Sequence, residues 1–300
     1  MPSKTILQVG DIKLQLSNLD KAFYADGFSK GEVIDYYIRI APALLPHIKD
    51  RPMTMKRYPH GAEGKFFYQK SCPANKPAWF NTLPVWSEGR GEHIHYCLLD
   101  SLPALIWAEN MAALELHPSL SRAADLSCPS VMVFDLDPGP PAALIECAEV
   151  ALMLRAILNS YGLASYPKTS GSKGLQVYVP LNTPCSYEQT KRVSHLLAKS
   201  LETHRPDLIV AKMKKTLRTG KVFIDWSQND EHKTTISVYS LRAKDKPSAS
   251  APVTWQEVEA LYNQQDPHLI DFDCRQVLER FEKYGDLFAD VLTLKQTLPT

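Results

Sequence analysis

The sequence lacks the marks of a secreted, zinc-stapled or membrane-embedded protein. Its six cysteines (Cys72, Cys97, Cys128, Cys147, Cys185 and Cys274) are scattered, with no C-x-x-C spacing. That argues against a zinc site and against a disulfide framework, so free, partly buried thiols in a reducing cytosol are expected. No apolar run approaches the roughly 20 residues of a membrane-spanning helix. The opening stretch MPSKTILQVGDIK has no apolar signal core, which points to a soluble, cytoplasmic protein. Neither sign of charge is in excess. The net charge is +1, and composition alone does not announce a nucleic-acid binder. Internal repeats and low-complexity tracts are absent, as is the G-x-x-x-x-G-K-[ST] spacing of a P-loop.

What is present is a large apolar fraction, 44% of 300 residues. It suffices for one domain over 1–300 or for two packed lobes, about 1–110 and 111–300. Two basic stretches stand out: Lys49, Arg51, Lys56 and Arg57, and then Lys212, Lys214, Lys215, Arg218 and Lys221. The plain reading of either is a solvated face. Residues 4–16 alternate around Gly10-Asp11 as in a short hairpin. Ser29 and Glu32 form a capping-box pattern ahead of Val33, Ile34, Tyr36, Tyr37, Ile40 and Leu44 at helical spacing. Helices are expected over 101–114, 142–160 and 186–203 and through much of the chain from 254. Strands are expected at 53–58, 130–136, 175–179, 221–226 and 234–241. This mixture, with several hairpin-like returns, predicts an α+β fold around a central, mostly antiparallel sheet.

Two of the strands end in acids. Asp135-Leu136-Asp137 closes the apolar run Ser130–Leu136, and Asp225 closes Val222-Phe223-Ile224. Side chains two apart on a strand share a face, so Asp135 and Asp137 point together while Leu136 points into the core. Like charges held this close suit a divalent cation with hard oxygen ligands. Three such acids are the equipment of in-line phosphoryl transfer. A metal-dependent nuclease and a merely polar strand end also fit the aspartates alone. The segment Lys168-Thr169-Ser170-Gly171-Ser172-Lys173-Gly174 lies between the two acidic strands. Its glycines allow close backbone approach to an anion, and its hydroxyls and lysines can hold a phosphate. A nuclease has no need of such a loop. In isolation it reads as a polar turn, and a lone histidine such as His117 reads as structural.

These residues together resemble a known family. The set is Leu116-His117, Asp135-Leu136-Asp137-Pro138-Gly139, Thr169–Gly174, Asp225-Trp226-Ser227-Gln228-Asn229 and Tyr239-Ser240-Leu241-Arg242. It looks like the polymerase domain of bacterial DNA ligase D, in the archaeo-eukaryotic primase superfamily, and the likeness runs from Leu19-Asp20-Lys21 to the C-terminal helices. The resemblance implies a primase-like catalytic core with a smaller N-terminal α/β part. It also implies a template-dependent polymerase that fills gaps and extends DNA ends in non-homologous end joining, with a preference for ribonucleotides.

Carried over by motif, Asp135, Asp137 and Asp225 would bind two manganese or magnesium ions. His117, Ser170, Ser172, Lys173, Lys56, Arg242 and Gln176 would surround the incoming triphosphate. Lys21 and Lys30 would hold the 5′-phosphate of a gap. Phe66 and Phe67, beside Lys65 and Lys70, would stack on template bases, Arg218 would meet DNA near the primer, and Lys70 and Gln228 would also bind DNA. Trp86–His95 occupies the position of a mobile loop that aligns ends. From the residues alone, the lysines read as ordinary surface groups and the aromatics equally as core. Implied partners are broken or gapped DNA, Ku and an ATP-dependent ligase, at the nucleoid.

Two features depart from the family pattern. Gln176 stands where the family commonly has a histidine, so weaker nucleotide binding or more reliance on Lys173 and Arg242 is expected. The K-x-D-G motif of a nucleotidyl ligase is absent, so the chain is the polymerase part alone. The starting methionine favours a stand-alone protein over an excised domain. The competing readings are a primase that starts chains and a non-catalytic module that bridges DNA ends.

Overall fold

The computed structural model describes residues 4–299. The hairpin around Gly10-Asp11 is present as β1 (Lys4–Val9) and β2 (Ile12–Ser17). Helix α1 (Lys30–Ile48) starts where the capping box puts it. The Ser29 side chain accepts from the Glu32 amide, and the Glu32 carboxylate accepts from the Ser29 amide. Its face of Val33, Tyr36, Tyr37, Ile40 and Leu44 is buried, and this burial, more than propensity, holds the helix.

Strands β3 (Met53–Arg57), β4 (Phe67–Gln69), β5 (Thr82–Ser87) and β6 (Glu92–Cys97) follow, then α2 (Leu102–Asn110) and β7 (Glu115–Pro118). They make an antiparallel sheet in which β3 pairs with β4, β6 and β7. The helix expected over 101–114 stops at Asn110, and Ala112 takes φ +63° as the chain turns into β7. The segment Trp86–His95 is a paired hairpin, with Trp86 opposite His93 and Ser87 opposite Glu92. The expectation of six free thiols needs correcting. Cys72 and Cys97 form a disulfide, because the chain after β4 runs beside β6 and bonds the Cys72 amide to His95. Cys128, Cys147, Cys185 and Cys274 are free.

The second half adds a small hairpin, β8 (Ser121–Arg122) and β9 (Asp125–Pro129), and then β10 (Val131–Pro138). It continues through α3 (Leu144–Ser160), β11 (Tyr166–Thr169), β12 (Leu175–Pro180), α4 (Tyr187–His204), β13 (Ile209–Val210) and β14 (Val222–Asp225). The sheet order is β11-β12-β10-β14-β13, antiparallel except for β13 beside β14. Helices α5 (Trp255–Gln264), α6 (Cys274–Tyr284) and α7 (Asp290–Thr293) close the chain.

The near-continuous apolar run of β10 is explained by burial on both faces. Met132, Phe134 and Leu136 pack with α3 residues Cys147, Ala151 and Leu154. Val131 and Val133 join the other core, with α1 and the N-terminal sheet. Asp135 and Asp137 continue this second face to the point where the packing ends and a cleft opens. Residues 234–241 are not the strand expected of them. Their backbone groups go to unrelated partners, Ser237 to Leu116 and Tyr239 to Ser250, and Tyr239 takes φ +66°. Among the described residues, no helix is long and apolar enough to cross a membrane.

Strand β14 leaves β10 at Asp225, and a side chain continues the pairing. Asn229 accepts from the Val133 amide at 2.8 Å and donates to the Val133 carbonyl at 2.7 Å, with further bonds to Ser194 and Trp226. The single turn Trp226–Gln228 is thereby pinned to β10 at both ends. Replacing Asn229 with Ala strands two buried backbone groups of Val133. The expected cost is about 3 kcal/mol by urea unfolding, and a loss smaller than about 1 kcal/mol would show that the clamp is dispensable.

Candidate active site

The strand register assembles one polar row across four strands. Lys168 on β11 lies opposite Gln176 on β12, Gln176 opposite Asp135 on β10, and Asp135 opposite Asp225 on β14. Directly opposed residues share a face, so these side chains and Asp137 project to one side. Leu136 and Ile224 project to the other, into the helical core.

Negative charge is crowded here. Burial, then Asp137 and Asp225, push the Asp135 carboxyl up to about 7, against the opposing pull of the Gln176 amide and Lys168. Lys168 is fully buried, which pulls its ammonium well below the usual lysine range. It donates to Ser250 at 2.6 Å.

The carboxylates themselves are splayed. Asp225 accepts from the Ser227 amide at 3.0 Å, from the Ser227 hydroxyl and from the Gln228 amide at 3.1 Å. Asp137 is half exposed, 3.9 Å from Arg218. Among the described residues, no three metal-ligating side chains converge into a ready-made cage. The donor set nevertheless fits hard divalent cations. The acids share one face, and the buried carbonyl oxygens of Gln176 and Gln228 have no hydrogen-bond partner. Acceptors in excess beside a carboxyl raised by burial and by its acidic neighbours are what a bound cation would compensate.

The loop after β11 is braced internally. Ser170 Oγ accepts from the amides of Ser172 at 3.2 Å and Gly174 at 3.1 Å, which leaves its own hydrogen free to donate. Gly171 takes φ +65°, and a side chain there would meet the Ala249–Ser250 backbone at 2.7 Å. Ser172 and Lys173 are exposed.

The opposite wall is one face of the N-terminal sheet, carrying Lys56, Glu115, His117 and Tyr68. Glu115 organises it and was not singled out from sequence. It accepts from the Tyr58 hydroxyl at 3.1 Å, from His117 Nε2 at 3.1 Å and from the Ala243 amide at 3.2 Å. Lys56 Nζ and Arg242 Nε each lie 3.5 Å from it. Burial alone would raise the Glu115 carboxyl, but the His117 hydrogen bond and the nearby Arg242, His117 and Lys56 charges bring it down to about 2. Burial lowers His117, although Glu115 opposes that shift. Lys56 also sits 4.1 Å from the Phe66 ring centroid. Arg242 ties the two walls together, donating from Nη1 to the Ser170 carbonyl at 2.8 Å. The one sequence signal for Glu115 was an acid set between two leucines, Leu114 and Leu116.

Between the walls lies a cleft of about 550 Å³. Asp135, Asp137, His117, Ser170, Ser172, Lys173, Gln176, Gln228, Arg242 and Lys70 all line it. Acids, anion donors and cations thus share one cavity on a sheet of this topology. Residues 29–288 match the family described as LigD, primase-polymerase domain. The chain belongs to this family.

It is 40% identical over 286 residues to the multifunctional non-homologous end joining protein LigD of Mycolicibacterium smegmatis, covering 92% of this chain and 36% of that protein. It is 33% identical over 289 residues to the bifunctional non-homologous end joining protein LigD of Bacillus subtilis, covering 96% and 45%. The chain therefore spans less than half the length of these relatives. The solved polymerase domain from Mycobacterium tuberculosis ligase D in complex with DNA superposes with a TM-score of 0.87 at 37% identity, covering 94% of this chain and 99% of that one.

The other residues that the likeness to LigD domains picked out are not among those lining this cleft: Asp225 is set beside Asp135 across the strand pair, and Lys56 beside Glu115. Phe66 and Phe67 are 50% and 45% exposed, on the rim beside Lys56 and Arg57. Arg218 lies over the Phe223 ring at 3.7 Å and donates to the Met213 carbonyl. Lys21 is exposed and donates to the Pro59 carbonyl at 2.6 Å. Lys30 is 4% exposed, its ammonium bonded to Ser17 and Asn110 at 2.7 Å. Burial, with Lys21 adding to it, pulls Lys30 down to about 8.

The depressed Glu115 carboxyl has a consequence for stability. A carboxyl lowered from its ordinary 4.5 to about 2 contributes on the order of 3 kcal/mol above pH 4.5, and loses it as the pH falls toward 2. In urea unfolding between pH 7 and pH 3, Glu115→Gln should flatten this acid limb while lowering stability at pH 7. An acid limb as steep as that of the wild type would remove Glu115 from its central position.

Proposed function

We propose that the chain is a template-dependent nucleotidyltransferase that extends DNA ends and fills gaps during non-homologous end joining. The observation that carries this reading is the facing of Asp135 and Asp137, with Asp225 paired beside Asp135, against the cationic wall and the Ser170–Gly174 loop, on a backbone that superposes on a DNA-bound polymerase domain. Asp135, Asp137 and Asp225 would hold two manganese or magnesium ions, whose chemistry is to acidify the attacking primer hydroxyl and neutralise the departing pyrophosphate.

The chain's own groups do the rest. Lys173, Arg242, Ser170, Ser172 and His117 bind the triphosphate, and Lys56 adds charge from behind Glu115. Gln176 offers the triphosphate a neutral hydrogen-bond donor, and Gln228 does the same for DNA. Phe66 and Phe67 stack on template bases, because every base has a π-face, and Lys70 and Arg218 contact the backbone. Lys21 is the surface contact for a gap's 5′-phosphate. Lys30 supplies charge from beneath, and a dianion would relieve the repulsion between the two ammoniums. Joining needs a ligase, and Ku would deliver the ends, at the bacterial nucleoid in the cytoplasm. Ribonucleotides are the expected substrates.

The test is extension of a gapped duplex with or without a 5′-phosphate, using ribo- or deoxynucleotides with Mn²⁺ or Mg²⁺. Stimulation by the phosphate supports gap filling, and indifference to it favours a primase. Asp137→Ala should abolish incorporation while end binding, read by fluorescence anisotropy, persists. Wild-type synthesis by that variant would overturn the metal assignment.

A further inference from the structure

The wall facing the aspartates carries a hydroxyl with nothing to bond. Thr54 on β3 is 3% exposed, and its Oγ1 has no hydrogen-bond partner. His117 lies directly opposite it on β7. Lys56 pairs with Tyr68 on β4, so strand alternation carries Lys70, two residues on, to the other flank of Thr54. The neighbouring row, Glu115–Lys56–Tyr68, is satisfied internally by an ion pair at 3.5 Å and a cation–π contact at 5.9 Å. The Thr54 row has no such closure at its centre.

Thr54 borders both the 550 Å³ cleft and an adjoining cavity of about 680 Å³ beneath the β5–β6 hairpin. The second cavity contains neither the aspartates nor any residue of the Ser170–Gly174 loop. Thr54 therefore stands where the cleft leaves its phosphate-binding end. A nucleotide whose triphosphate lies at the Ser170–Gly174 loop would extend its uncharged part, sugar first, toward this position. Rotation about χ1 exchanges the hydroxyl and the methyl, so the hydroxyl can meet the cleft without movement of the strand. A hydroxyl that both donates and accepts matches a sugar hydroxyl.

We propose that Thr54 is a specificity-determining contact to a sugar hydroxyl of the incoming nucleotide. This rests on the polymerase reading above and adds a residue to it. Because Oγ1 forms no internal bond, the isosteric change Thr54→Val breaks nothing in the free protein and removes a buried polar group. Its melting temperature should equal or exceed that of the wild type.

Dissociation constants for ATP, 2′-deoxy-ATP and 3′-deoxy-ATP would be measured by competition against a fluorescent nucleotide, without turnover, for the wild type, Thr54→Val and Thr54→Ser. Valine should weaken ATP about three- to tenfold. It should leave unchanged the analogue that lacks the contacted hydroxyl, and serine should restore ATP binding. An equal loss for all three nucleotides, no loss for any, or a loss that follows the base when GTP and CTP are substituted would overturn the assignment. A fall in melting temperature with both variants would assign Thr54 to the fold instead. A wild type that binds no nucleotide would overturn the polymerase reading itself.

Discussion

The site depends on the register between β10 and its two neighbours. Asp225, Asp135 and Gln176 face one another only because β14 and β12 pair with β10 as they do. A slip of one residue would turn every acid into the helical core and every core residue out. Register is secured by burial on both sides of β10, and the Asn229 amide extends it past the end of β14. Core packing thus does the electrostatic work of holding like charges together. Burial first, and then Asp137 and Asp225, raise the Asp135 carboxyl, so the fold rather than attraction between the groups keeps them there.

A second constraint faces the first. Glu115 is a buried anion surrounded by His117, Lys56 and Arg242. Without it, the cations on this wall would repel one another and favour solvent. With it, they are ordered and retain net positive charge toward the cleft. The aspartate wall is short of positive charge and the other wall has it in excess, which is the polarity a metal–triphosphate substrate requires.

What the sequence disclosed follows the range of each interaction. The Ser29 cap, the hairpin at Gly10-Asp11 and the shared face of Asp135 and Asp137 depend on residues a few positions apart, and all are as expected. The Cys72–Cys97 bond and the burial of Lys30 against Asn110 depend on chain segments that only the fold brings together. Residues 234–241 have a strand's composition but make only isolated bridges, Thr234 with Ser119 and Leu241 with Ala249, and composition does not report whether pairing continues. Glu115 escaped for a related reason. An acid between leucines reads as an interruption until Lys56 and Arg242 arrive from separate parts of the chain.

Arg242 spans the cleft, joined to the Ser170 carbonyl on one wall and set near Glu115 on the other. A guanidinium has five donors in a fixed plane, and these two contacts leave several of them for a phosphate. In the proposed polymerase one side chain would therefore serve as latch and grip together, and neither would have to release for the other to engage. A lysine carries the same charge at a single point and would have to choose. On that reading, spacing between the walls and affinity for the substrate would be a single inherited property, unable to drift apart one substitution at a time.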